Sequence, residues 1–238
     1  MKGSRTHPRE DQVAELTRGQ SLPLAPLPEL HLTFIAEVLM RAWNDLFVER
    51  SSILLTGEET EVNTLIETRL NALLEEDGSW SQLVCVVAKG KESVSYDGSH
   101  LEKRPDLSIY LTRRSPSFPL IVECKLIDAP SRKKIDLYCN DGLVRFVRGE
   151  YGWARREGFM LAYVRDGSTI PSCLEPFLAQ SRSKQPDIYL TESLPNLIGG
   201  SMRLACSSHN REFRYLGTPS SSPGAITIWH LWIGACPQ

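Results

Sequence analysis

No apolar run in this chain approaches the roughly 18–20 residues that a membrane helix needs. The opening stretch, MKGSRTHPREDQ, is polar and lacks the apolar core of a signal peptide. Both absences lead us to expect a cytoplasmic protein. No C-x-x-C pair occurs among Cys85, Cys124, Cys139, Cys173, Cys206 and Cys236, and their spacing matches no zinc site. Several lie in apolar runs (LVCVV, VECKL) and read as small reduced core residues. A glycine-rich phosphate loop is missing, which argues against an ATPase or a dinucleotide enzyme. Ser207 and Ser208 stand near His209 but not on a Gly-x-Ser-x-Gly turn, so no serine nucleophile is expected. His209 and Arg211 alternate and share a face if extended, and His230 lies in the apolar run TIWHLWI. Both histidines read as structural hydrogen-bonders. Trp43, Trp80, Trp153, Trp229 and Trp232 are scattered, form no base-stacking platform, and read as core. There is no internal repeat.

Nor is there a large net charge: the sum is -2, so the whole chain is not a polycation. The distribution is more informative. From Glu29 to Asp77 eleven acidic residues face three basic ones, whereas from Lys103 to Arg165 thirteen basic residues face seven acidic ones. A local basic surface can hold a polyanion even when the total is near zero.

What is present fits one α/β domain. A length of 238 residues, with 41% hydrophobic and 24% charged, is ordinary for a globular protein of one domain. Residues 1–28 are polar and proline-rich (SLPLAPLPE) and read as a flexible arm, with one domain over 29–238. Apolar residues Ile35, Val38, Leu39, Ala42, Trp43 and Leu46 predict an amphipathic helix over 29–50. A second helix is predicted from Glu58 to Glu76, with Val62, Leu65, Ile66, Leu70 and Leu73 buried and Glu58, Glu59 and Glu61 in its first turn. Strands are predicted at 83–88, 107–112, 119–124 and 159–164, and a helix at 133–148. The last part holds a short helix near PSCLEPFLAQ and further strands at DIYLTE, SMRLACSSH, REFRYLG and AITIWHLWI. This order predicts a mixed sheet flanked by helices.

One stretch, RPDLSIYLTRRSPSFPLIVECK, carries chemistry. Asp106 opens its first strand and Glu123-Cys124-Lys125 closes its second. Side chains alternate along a strand, so Glu123 and Lys125 share a face while Cys124 points to the opposite layer. If the strands pair through the turn, Asp106 comes to lie beside Glu123 and Lys125. Two carboxylates and the backbone carbonyl of Cys124 make a hard oxygen site of the kind Mg²⁺ takes. A lysine beside it can orient or deprotonate water and stabilise charge on a phosphate.

Pro105-Asp106 followed by Glu123-Cys124-Lys125 resembles the PD-(D/E)xK nuclease superfamily, the fold of many restriction endonucleases. The resemblance implies an α/β core with a mixed central sheet flanked by helices in αβββαβ order. That core would cover about 56–165, with the helix over 29–50 before it and a β-rich C-terminal extension over 166–238. It further implies hydrolysis of DNA with Mg²⁺ or Mn²⁺, though nothing in the residues excludes RNA. Asp106, Glu123 and the Cys124 carbonyl would hold the metal, and Lys125 would serve catalysis. An acid from the first helix often joins such sites: Glu59, which shares a face with Val62, is the best candidate, and Glu58 and Glu61 are rivals. In the next helix Tyr138, Arg145 and Phe146 share a face that Lys134 joins. Lys134 and Arg145, with Arg113 and Arg114 of the basic middle, are expected to contact nucleic acid. The pattern also resembles nuclease-like proteins of phage-defence operons. It implies an effector subunit that works with a partner subunit, or a homodimer. The alternatives are an inactive module of the same fold that binds nucleic acid or protein, and a stand-alone dimeric restriction enzyme.

Overall fold

A computed structural model describes residues 8–92, 94–98, 104–216 and 221–234, with only the backbone of 8–10. Residues 1–7, Lys103 and Cys236 lie outside that range. The chain forms an α/β structure with one mixed sheet of seven strands in the order β1-β2-β3-β4-β7-β6-β5. The strands are β1 (Val84–Lys89), β2 (Leu107–Leu111), β3 (Leu120–Ile127), β4 (Glu157–Val164), β5 (Thr191–Leu197), β6 (Leu204–His209) and β7 (Ile226–Gly234). β3, β4 and β7 run parallel, and every other pairing is antiparallel. No helix among the described residues is long and apolar enough to cross a membrane.

Two layers of helix cover the sheet. On one face lie α2 (Glu29–Thr56) and α3 (Glu59–Glu76), packed against Val122, Cys124, Leu126, Phe159, Leu161, Tyr163, Trp229 and Leu231. Helix α2 runs past its expected end at Arg50, where the backbone kinks, and Leu54 is buried beyond the kink. Asp77 then starts the short helix α4 (Gly78–Leu83) by accepting from the N–H groups of Ser79 and Trp80. On the other face a helix with a π-helical middle packs against Ile121, Ile127, Met160 and Ala162. It consists of α5 (Ile135–Tyr138), a π-helical segment (Cys139–Leu143) and α6 (Val144–Val147). α7 (Glu175–Arg182), entered through a second π segment at Ile170–Leu174, lies on the same side. Fully buried strands like β4 read as continuous apolar runs because both faces are covered.

Four expectations are corrected. The 119–124 strand runs on to Ile127 because β3 pairs with β4 from Val122↔Phe159 to Ile127↔Val164, so Glu-Cys-Lys lies within the strand. The DIYLTE strand shifts to Thr191–Leu197. Asp187 instead builds a turn by accepting from Ser181, Tyr189 and Thr191, and Leu190 takes φ 47°. β5 carries Pro195 at a register break, which an edge strand tolerates. REFRYLG forms no strand over its described residues; Phe213 and Tyr215 alternate but pack into a third apolar cluster. That cluster also holds Val13, Leu22 and Leu24, so the described part of the 1–28 arm is packed, with a helix α1 (Pro8–Thr17). All five tryptophans are buried, as expected.

Candidate active site

The site lies where β3 outlasts its neighbour. β2 pairs with β3 only at Leu107↔Val122, Ser108↔Ile121 and Ile109↔Leu120. Beyond Val122 the β2-side edge of β3 therefore has no strand partner among the described residues. Along a strand, N–H and C=O of alternate residues point to the same side, so Cys124 and Leu126 direct theirs into the vacated edge. Two carboxylates satisfy these amides. The Cys124 N–H donates to Asp106 Oδ2 at 2.8 Å, and the Leu126 N–H donates to Glu59 Oε2 at 2.9 Å. The Cys124 carbonyl accepts from Lys125 Nζ at 2.8 Å.

Lys125 is the centre of the group. Its ammonium stands 2.8 Å from Glu123 Oε1, 3.5 Å from Glu59 Oε1 and 3.7 Å from Asp106 Oδ2. Burial pulls its pKa down, but Glu123, Asp106 and Glu59 together hold it above the usual lysine value. Glu123 is 1% exposed and also accepts from Arg145 Nη1 at 2.9 Å. Burial, with the charge of Asp106 adding to it, pushes the Glu123 carboxyl up to about 8 against the pull of Lys125 and Arg145. Its second oxygen, Oε2, is buried and has no hydrogen-bond partner among the described residues. No ready metal cage of Asp, Glu, His or Cys side chains occurs among the described residues, and the Lys125 ammonium stands amid the three carboxylates.

The three glutamates of the α3 start are separated by their tasks. Glu61 Oε2 accepts from the Glu58 N–H, and Glu58 pairs with Lys133 at the surface. Glu59 alone reaches Lys125 and β3. Arg145 is brought to the site and is steadied by Tyr151, whose hydroxyl accepts from its Nη1 at 2.9 Å. Lys134 is exposed ahead of α5. Arg113 and Arg114 are not brought to the site. They follow the far end of β2, five residues from Asp106 or about 17 Å of strand, and Arg114 donates to the carbonyls of Ala25 and Pro26.

Two members were missed from sequence. Asn63, fully buried, donates from Nδ2 to Asp106 Oδ1 at 2.8 Å and accepts from the Tyr163 hydroxyl at 2.8 Å. The signal was there: Asn63 is four residues after Glu59 and in phase with the buried Ile66, Leu70 and Leu73. Tyr151 left no such signal, because its loop carries no periodicity. Chemically, the arrangement combines three carboxylates and a carbonyl, all hard oxygen donors, with two fixed cations. Comparison with known proteins finds no matching family model, no matching curated protein and no matching solved structure.

Proposed function

We propose that this chain is a metal-dependent phosphodiesterase, an endonuclease acting on DNA. In this reading α3, β1, β2, β3, the α5–α6 helix and β4 make up a restriction-endonuclease-like core. The observation that carries the reading is the orphaned Oε2 of Glu123, a buried carboxylate oxygen beside two more carboxylates and short of one positive partner. The oxygen donor set fits a hard divalent cation. Asp106, Glu123 and the Cys124 carbonyl would hold Mg²⁺ or Mn²⁺, with Glu59 alongside. When bound, the ion supplies a Lewis acid for the phosphoryl oxygen and an acidified water. Lys125 supplies a fixed charge for the phosphate and a hydrogen bond for the attacking water. Arg145, steadied by Tyr151, adds a second positive charge, and Asn63 holds Asp106 in place.

The test is cleavage of supercoiled and linear plasmid with Mg²⁺ or Mn²⁺, with EDTA as control. Wild type is expected to cut, and Lys125→Ala and Glu123→Ala to lose at least about 100-fold, the scale of removing one preorganised charge-stabilising group. Discrete products would indicate a stand-alone dimeric restriction enzyme. A smear would fit an effector subunit of a multi-protein anti-phage system. Wild type that neither cuts nor binds Mn²⁺ would sink the proposal in favour of an inactive module of the same fold.

A further inference from the structure

A cavity of about 370 Å³ opens on the same face of the sheet as Glu123. Its floor is Ser108 and Tyr110 of β2 and Ile121 of β3. Ile121 precedes Glu123 by two residues on one strand face, a step of about 6.7 Å. The wall continues from the site as well: Tyr151 bonds Arg145, and the next residues, Gly152 and Trp153, line the cavity.

Its chemistry is that of a ring site. Tyr110 and Trp153 offer aromatic surface, and Lys91 stands 5.0 Å from the centre of the Tyr110 ring. Ser108 is 2% exposed, yet its hydroxyl makes no hydrogen bond to another described residue. It lines the cavity, where it is open to a ligand and can both donate and accept. Glu92, whose Oε1 accepts from Arg104 Nη2 at 2.7 Å, also lines the wall. Its second carboxylate oxygen can accept from the amino edge of a base. We infer that this cavity receives one nucleobase of the strand whose phosphate lies at Lys125. The base stacks on the aromatic wall and its edge bonds Ser108. This rests on the phosphodiesterase reading and adds a single-nucleotide subsite to it. Base-on-aromatic stacking tolerates every base, so the site selects an unpaired nucleotide rather than a sequence.

The test uses the full chain and short single strands carrying 2-aminopurine at each position in turn, with Ca²⁺ replacing Mg²⁺. Strand binding is followed by anisotropy. The expected result is several-fold quenching at one position only. Ser108→Val, which removes the hydroxyl yet suits a strand, should abolish that local quenching. Lys91→Glu, an exposed change that does not threaten folding, should reduce it at least threefold. Strand binding with uniform quenching, with none, or with none of it altered by either variant overturns the inference, as does a failure to bind strands. Plasmid cleavage run in parallel separates the two readings. Cutting without a localised base signal removes the cavity and leaves the nuclease. A localised base signal without cutting, in a protein that binds no Mn²⁺, removes the nuclease and leaves the cavity.

Discussion

Two kinds of buried polar residue do different work. Asn63 positions Asp106, and its loss would strand a carboxylate oxygen and the Tyr163 hydroxyl at once. Far from the site, a chain of hydrogen bonds crosses the second core, and its proton order follows from its ends. His209 Nδ1 faces the Tyr189 carbonyl at 2.8 Å and must donate, so His209 Nε2 accepts from the Ser207 hydroxyl. Ser207 then accepts from His230 Nε2, and His230 Nδ1 accepts from the Tyr138 hydroxyl. Burial keeps both imidazoles neutral in the fold, and that neutrality fixes this order. Burial pulls His209 down to about 4 and holds His230 well below its usual value. Between the unfolded value near 6.5 and about 4, the unfolded chain binds more protons than the folded one, so stability falls as pH drops through that window. Urea unfolding should show a loss of about 2 kcal/mol between pH 7 and pH 5 from His209 alone. His209→Gln, which cannot take up a proton, should flatten that part of the slope. An unchanged slope would mean His209 titrates normally in the fold.

At the scale of the element, α3 acts as a polar ruler laid against the sheet. Glu59, Asn63, Glu67 and Asn71 recur every four residues on one helix face. Glu59 takes the Leu126 N–H and Asn63 takes Asp106, while Glu67 takes the Lys89 N–H and Asn71 takes both the N–H and the carbonyl of Val87. The lower two cover the free edge of β1, which would otherwise be a template for another chain. Across the sheet, the π segment brings Gly142 onto the strand that carries Glu123. A Cβ there would sit 2.5 Å from Met160 Cε and 3.5 Å from Glu123 Cγ. Gly142→Ala should cost about 1 kcal/mol, the low end for overpacking because the Met160 methyl is the movable end of a flexible side chain, read from the midpoint of urea unfolding. A companion Met160→Val should recover part of it, and an additive double variant would show that the contact is not the cause. The expected continuous helix over 133–148 was legible in its apolar spacing. Its π segment over Cys139–Leu143 was not, because apolar spacing does not mark a π turn.

For the whole molecule, β7 is an inner strand rather than an added surface: it pairs with β4 over eight residues, from Glu157↔Thr227 to Val164↔Gly234. Cutting the chain after residue 165 would bare one edge of the fully buried β4 and the apolar faces once covered by Ile228, Trp229 and Leu231. That fragment should be largely insoluble, as gel filtration of the soluble fraction would show; a monodisperse monomer would mean the first four strands suffice as a fold. The basic middle also changes meaning at this scale. Arg155 is buried against Glu157, Arg165 donates to the carbonyls of Leu54 and Gly57, and Lys125 and Arg145 bind Glu123, so much of that charge is spent internally. Sequence by itself determined the elements, because apolar spacing is local: α2, α3, β2, β4 and β7 were all there to read. It also determined that Glu123 and Lys125 share a face, since strand alternation needs no partner. Tertiary structure alone decided that β3 runs past β2 and bares its edge, and it separated Glu59, already favoured by helix phase, from Glu58 and Glu61. It also brought Asn63 to Asp106 and kept Arg113 and Arg114 away. Each of these depends on which distant strand or helix lies alongside, and no local pattern of residues encodes that.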